Sequence, residues 1–407
     1  MKIRSITCFV NPHWPLDSSA VAQMGDVAHQ AKADFQQAGY EVQTIRIATP
    51  PFPQLFAQLD EEGIIEAVQR LEKAAADQGF AYIAVGPALV DQPNSYALIS
   101  KIIANTENVF CCAQMTTMQH GISLEAVRSC AQVITELAPQ DPNGFANLYF
   151  TALANVGPGS PFFPASYHAG GAPAFSLATE AANLAVEAFE RSGSVEQGLE
   201  RFQRTVQFHA DRLSAISENL QNKTGCKFNG IDFSLAPFPS RESSLGSAVE
   251  RMGIGKVGLH GSLAAAAMLA STLDQVSFPR VGFSGLMFAQ LEDAALAERA
   301  SEGVLLVKDL LMYSAVCGTG LDTVPLPGDC TPEQIVPLLL DLAALALRLD
   351  KPLTARLMPV PGKKAGQETS FDFPFFANSR VMGLSSEPLQ TPFEQSQRIQ
   401  IYSRIHT

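Results

Sequence analysis

Short apolar and β-branched runs alternate with longer stretches of helical period along almost the whole chain. Alternating or fully apolar runs predict strands over 3–10, 41–47, 81–85, 109–113, 146–152, 231–235, 281–286, 322–325 and 353–360. Apolar positions three and four residues apart predict helices near 18–38, 63–78, 95–105, 123–137, 180–192, 195–223, 243–252, 262–273, 291–300 and 332–349. This alternation implies βαβ units and a mainly parallel sheet, because parallel neighbours need a crossover connection. The last helix has a legible start, with Thr331 as N-cap, Pro332 at its first position and Gln334 closing a capping box. Pro337 in its second turn predicts a kink or a later start.

No low-complexity linker divides the chain. The Gly- and Pro-rich stretch 157–171 also carries Phe162, Phe163, Tyr167 and His168, and a solvated linker rarely holds three aromatics. It reads as an ordered loop over the sheet. The expectation is therefore one domain over 1–407, with βα units in 1–110 and the chemically informative stretches within 146–363.

Composition narrows the picture. The chain has 407 residues, 46% hydrophobic and only 17% charged, below the roughly 25% of ordinary soluble chains. So few charges imply extensive burial, in a closed architecture or in the interface of a homo-oligomer. The net charge is −12 and no basic cluster exceeds Lys363–Lys364, which excludes a nucleic-acid-binding face and disfavours an anionic membrane surface. The apolar stretches 263–270 and 336–347 are too short, or broken by Asp341, to span a membrane, and the first apolar run is too short for a signal peptide. Seven cysteines without CxxC or zinc-finger spacing point to a reducing cytoplasm, with thiols packed as small hydrophobes.

Four segments could carry chemistry. In Gly230–Pro237, alternation puts Ile231, Phe233 and Leu235 on one face and Asp232, Ser234 and Ala236 on the other. A carboxylate there must be hydrogen-bonded, paired or metal-bound, and a purely structural Asp tied to backbone amides is an equal alternative. In Gly258–Ser262, His260 stands where the chain enters an Ala-rich helix, with Ser262 as N-cap and a possible ligand contact. In Tyr313–Pro325, Gly318 and Gly320 allow close backbone approach beside Cys317, and Asp322 opens an apolar strand; Cys317 is a nucleophile or a small filler. In Ser160–His168, an aromatic loop delivers His168 before Gly170–Gly171, as a lid, a pocket wall or an interface loop.

Together 161–171, 228–239, 258–269, 282–285, 315–329 and 355–363 resemble the domain of unknown function 711 family, also called uncharacterised protein family 0210. The run Cys317–Asp322 followed by Pro325 and Pro327 is the most specific part. The resemblance implies a fold like that of pyruvate formate-lyase and other glycyl radical enzymes: a ten-stranded α/β barrel of two parallel half-barrels with helices outside. It implies no assigned reaction. Ser379–Leu384 looks like the motif that holds a radical glycine, but Leu384 stands at its aromatic position and the chain is about half the usual length, so no radical at Gly383 is expected.

The expected site brings Asp232, His168, His260, Cys317 and Asp322 together inside or at the mouth of the barrel. His168, His260, Asp232 and Asp322 would make a workable divalent-metal set; without metal they form an acid–base pair with an orienting carboxylate. The first functional expectation is thus a small-molecule enzyme, the second a non-catalytic binding or regulatory protein holding a small metabolite, and the third a true glycyl radical enzyme.

Overall fold

In the computed structural model, which describes residues 1–117, 121–316 and 318–403, nine strands share one sheet. In chain order they are β1 Lys2–Phe9, β2 Val42–Ala48, β3 Tyr82–Ala88, β4 Val109–Gln114, β5 Phe150–Ala154, β6 Ala174–Glu180, β7 Lys227–Asp232, β8 Gly320–Pro327 and β9 Leu353–Val360. Their spatial order is β8-β9-β5-β4-β3-β2-β1-β6-β7. Strands β1 to β5 are mutually parallel. Strand β6 runs antiparallel to β1 and carries β7 parallel beside it; β9 runs antiparallel to β5 and carries β8 parallel beside it. The fold is mixed α/β, with a large, mostly parallel sheet.

The segment expected as a strand over 281–286 is not a regular strand. It makes isolated parallel bridges instead, Ile231 to Arg280 and Leu235 to Leu286 beside β7, and Ala289 to Asp322 beside β8. Gly282 and Ser284 both have positive φ, 66° and 42°, which breaks the extended ladder. Strand β6 was not expected: Ala, Ser and Thr dilute its alternation, and the helical pattern beyond Glu180 masks it. The strand expected over 146–152 begins only at Phe150, after a 3₁₀ turn over Phe145–Tyr149. A helix over Val307–Val316 was also missed.

Both faces of the sheet are buried. Alternate strand residues, Ile6 and Cys8, Ile45 and Ile47, Ile83 and Val85, Cys111 and Ala113, Phe175 and Leu177, join the main apolar core with the helices. Local chemistry builds those helices. Ser18–Gln37 starts at the Asp17 cap, Glu61–Asp77 starts at Asp60 with a stripe of Ile64, Val68, Leu71 and Ala75, and Pro332–Arg348 shows the expected capping box and continues past Pro337. No helix among the described residues is long and apolar enough to cross a membrane.

The opposite face is the one that positions a site. Phe9, Ala48, Ala84, Phe110 and Ala174 of the strands meet Phe163, and Cys112 and Leu153 meet Phe162, Ala165 and Tyr167. The loop 160–168 is buried on this face rather than lying over an exposed one. Thr7 Oγ1 donates to Pro161 O at 3.2 Å, Ser176 Oγ to Gly159 O at 3.2 Å, and His168 N–H to Thr49 O at 2.9 Å. Burying this loop satisfies its backbone and explains its aromatic content.

Candidate functional site

Three arginines stand on the inner face among apolar neighbours: Arg4 of β1, Arg46 of β2 and Arg356 of β9. Glu292 joins two of them, with Oε1 accepting from Arg356 Nη2 at 3.0 Å and Oε2 paired with Arg4 Nη2. Arg356 also donates from Nε to Asp322 Oδ1 at 2.5 Å, with the Arg356 and Asp322 side chains only 4% and 0% exposed. Burial pushes the Glu292 carboxyl up, but the flanking arginines outweigh it and hold Glu292 below its ordinary range. Asp322 goes the other way, because burial dominates and Glu292 adds repulsion against the pull of Arg356. Its Oδ2 is buried without a hydrogen-bond partner among the described residues.

Arg46 is different. Its Nε donates to Thr44 Oγ1 at 2.8 Å, and among the described residues no carboxylate lies within ion-pair distance of it. Its guanidinium rests against two rings, 5.5 Å from the Tyr82 centroid and 5.1 Å from that of Phe163. Register explains the first contact, since Arg46 and Tyr82 are direct partners across β2 and β3. Burial, and then repulsion from Arg4, pushes the Arg46 guanidinium down to about 9.

These groups border a cavity of about 120 Å³. Arg4, Arg46, Arg356 and Glu292 supply its charged wall, while Tyr82, Phe110, Phe163, Phe373 and Phe375 supply its aromatic wall. Phe373 and Phe375 arrive on the segment 368–380, which is tied down by Ala377 N–H to Leu291 O at 2.6 Å and by the Glu368–Arg380 bridge. Chemically, such a site can hold and orient a small charged molecule in partial exclusion of water.

Of the described residues expected to converge, Asp322 alone belongs to this network. Asp232 follows the structural alternative: Oδ2 accepts from Phe283 N–H at 2.9 Å, and Oδ1 accepts from Ser284 N–H at 2.8 Å and Ser234 Oγ at 2.5 Å. Burial still pushes its carboxyl up against those bonds. His168 is buried at the Thr49 end of the inner face; its Nε2 lies 3.0 Å from Gly171 O and its ring 6.2 Å from that of Phe9. Burial pushes its pKa down, with the Gly171 bond opposing.

His260 is exposed and joins none of these contacts, because the Gly258–Gly261 turn directs it to the surface. Ser262 is the first helical residue and not the N-cap, which is Gly261 with φ of 101°; its Oγ donates to Leu259 O and accepts from Gly258 N–H. Gly318 and Gly320 serve close approach, the latter seating β8 against Thr354 of β9, where a Cβ would strike backbone. Cys317 lies outside the described residues. No group of three or more His, Cys, Asp or Glu side chains among the described residues could hold a metal ion, so the set His168, His260, Asp232 and Asp322 is not assembled. Gly383 is exposed, at the surface beside Ala365.

The three arginines carry a signal in the sequence itself. Arg4 beside Ile3, Arg46 between Ile45 and Ile47, and Arg356 between Ala355 and Leu357 break apolar strands just as Asp232 and Asp322 do. A cation so placed demands a partner for the same reason a carboxylate does. Glu292 and the Phe373–Phe375 wall carried no such signal, since they lie in irregular segments.

Known proteins now fix the kinship. The UPF0210 protein of Pyrobaculum arsenaticum is 30% identical over 345 residues, 81% of this chain and 75% of its own length. Those of Acetivibrio thermocellus and Oenococcus oeni are each 28% identical, over 83% and 85% of this chain and 78% and 79% of theirs. Among solved structures, the anaerobic ribonucleotide reductase from Thermotoga maritima with citrate in the active site aligns with a TM-score of 0.45 and 9% identity, over 87% of this chain and 79% of that one. With residues 1–379 matching the family described as Uncharacterised ACR (DUF711), the resemblance read from Cys317–Asp322 and its companion segments is membership: this chain belongs to that family.

Proposed function

We propose that this chain binds a small molecule in the cavity between Arg4, Arg46 and Arg356, inside an α/β barrel. The observation that carries the reading is Arg46, a cation on the inner face with no carboxylate partner among the described residues, bordering a cavity. A structural arginine would be paired, as Arg4 and Arg356 are. The bridges on both sides of 280–289 support closure of the sheet by a tenth, irregular strand, giving two parallel halves of five within one domain. Closure would make the cavity an interior, where small-molecule sites of barrel proteins lie.

A second reading is acid–base turnover of the bound molecule. It is favoured by Asp322, whose carboxyl is pushed up and whose Oδ2 lacks a partner one guanidinium away from the cavity. The test is to release small molecules from purified full-length protein by denaturation, and to repeat this after dialysis against a metabolite extract. Retention of one or a few compounds at near-stoichiometric level is expected. A retained compound that is also chemically converted favours turnover, and no retention in either format overturns the binding reading.

A further inference from the structure

The geometry points to a specific ligand class: a monocarboxylate on a compact, flat apolar body about the size of a single ring. This rests on the reading that the cavity is a ligand site, and it names what that site takes.

The charge count sets the anion. Arg4, Arg46 and Arg356 bring three positive charges, and Glu292 and Asp322 answer two of them through the Arg4–Glu292–Arg356–Asp322 chain. Glu180 stands nearby, with its Oε2 accepting from Gln43 Nε2 at 2.7 Å, and it makes no ion pair with Arg46. One guanidinium, Arg46, is left to be matched by the ligand. Its planar fork of N–H donors suits a carboxylate, which can accept two parallel bonds. A single guanidinium without a carboxylate partner favours a carboxylate over a phosphate dianion, whose second charge would meet Glu292 across the same cavity.

The remaining walls set the body. Tyr82 and Phe163 already flank the Arg46 guanidinium, Phe110 packs edge-on to both at 5.3 and 5.4 Å between centroids, and Phe373 and Phe375 complete the enclosure. Aromatic edges and faces of this kind favour a flat partner. The volume of about 120 Å³ is close to the roughly 150 Å³ apolar cavity known to hold benzene, so a ring fits and a nucleotide does not.

Isothermal titration of the full chain with benzoate, benzamide, acetate and phenyl phosphate tests this. Benzoate should bind at least tenfold more tightly than each of the other three. Arg46→Met should lose benzoate affinity at least tenfold, about 1.4 kcal/mol, while circular dichroism shows it folded as the parent is. Arg46→Lys should recover part of the affinity. Benzamide or phenyl phosphate matching benzoate, no benzoate binding, or an Arg46→Met protein that folds and binds benzoate normally would each overturn the assignment. Failure here with a neutral or phosphorylated compound retained from extract overturns this ligand class alone; failure with nothing retained overturns the pocket reading too.

Discussion

Replacing Arg356 by Met removes the guanidinium that joins Glu292 to Asp322 while keeping the length of the side chain. In the intact protein all three groups are at most 4% exposed, so neither carboxylate can turn to water when its partner goes. Two charges about 4 Å apart at an effective dielectric near 20 interact by about 4 kcal/mol. Breaking a buried pair by removing one partner costs about 3–5 kcal/mol, which agrees. Asp322 bears most of it, since its Oδ2 already lacks a hydrogen-bond partner among the described residues, whereas Glu292 keeps Arg4. A chain of this size has an unfolding entropy of about 0.9 kcal/mol/K, so the loss corresponds to a melting temperature about 5 °C lower.

Proton linkage gives the loss a pH signature. Without the guanidinium, the folded-state pKa of Asp322 and of Glu292 rises, so the folded variant holds more protons than its unfolded chain from about pH 4 up to those raised values. Stability of the variant therefore falls relative to the parent as pH rises through that window, and the gap is wider at pH 8 than at pH 5. Thermal melts of both proteins at the two pH values measure this. Adding Asp322→Asn to the variant should recover part of the loss, since it removes the stranded charge. A loss under about 1 kcal/mol with no pH dependence would mean that the pair behaves as a solvated surface pair, and the buried network would be refuted.

Asp232→Ala strands the part-buried amide of Phe283 and the buried amide of Ser284 and should cost about 3 kcal/mol in a denaturant titration, without changing ligand retention. Gly282→Ala should destabilise by a comparable amount, because its φ is 66° and a Cβ there would fall on Asp232 Oδ2. His260→Ala should leave both melting temperature and ligand retention unchanged within about 0.5 kcal/mol, since the side chain is exposed and joins none of the site contacts. Cys8, Cys111, Cys112 and Cys130 are buried, and burial pushes their thiols up; peptide mapping after alkylation at pH 8 should show them labelled about a thousandfold more slowly in native than in denaturant-unfolded protein.

Local pattern was enough for the βα alternation, for the cap at Thr331 and for the division of 230–237 into two faces, because period, capping and steric preference act over a few residues. It also marked Asp232 and Asp322 as carboxylates that must be partnered, since the cost of an unpaired buried charge does not depend on fold. Which partner each found was a tertiary matter. Asp232 met the amides of Phe283 and Ser284, about fifty residues on, and became structural; Asp322 met Arg356 and joined the cavity network. The positive φ of Gly282 and Ser284 breaks the expected strand, and the amides of Phe283 and Ser284 donate to Asp232 from this irregular segment. In the same way, the burial of 160–168 depends on the inner face of a sheet assembled from strands far apart in the chain. Arg46 shows the division most plainly: its position between Ile45 and Ile47 announces a buried cation, and only the tertiary packing sets Tyr82 and Phe163 against it with no carboxylate partner among the described residues.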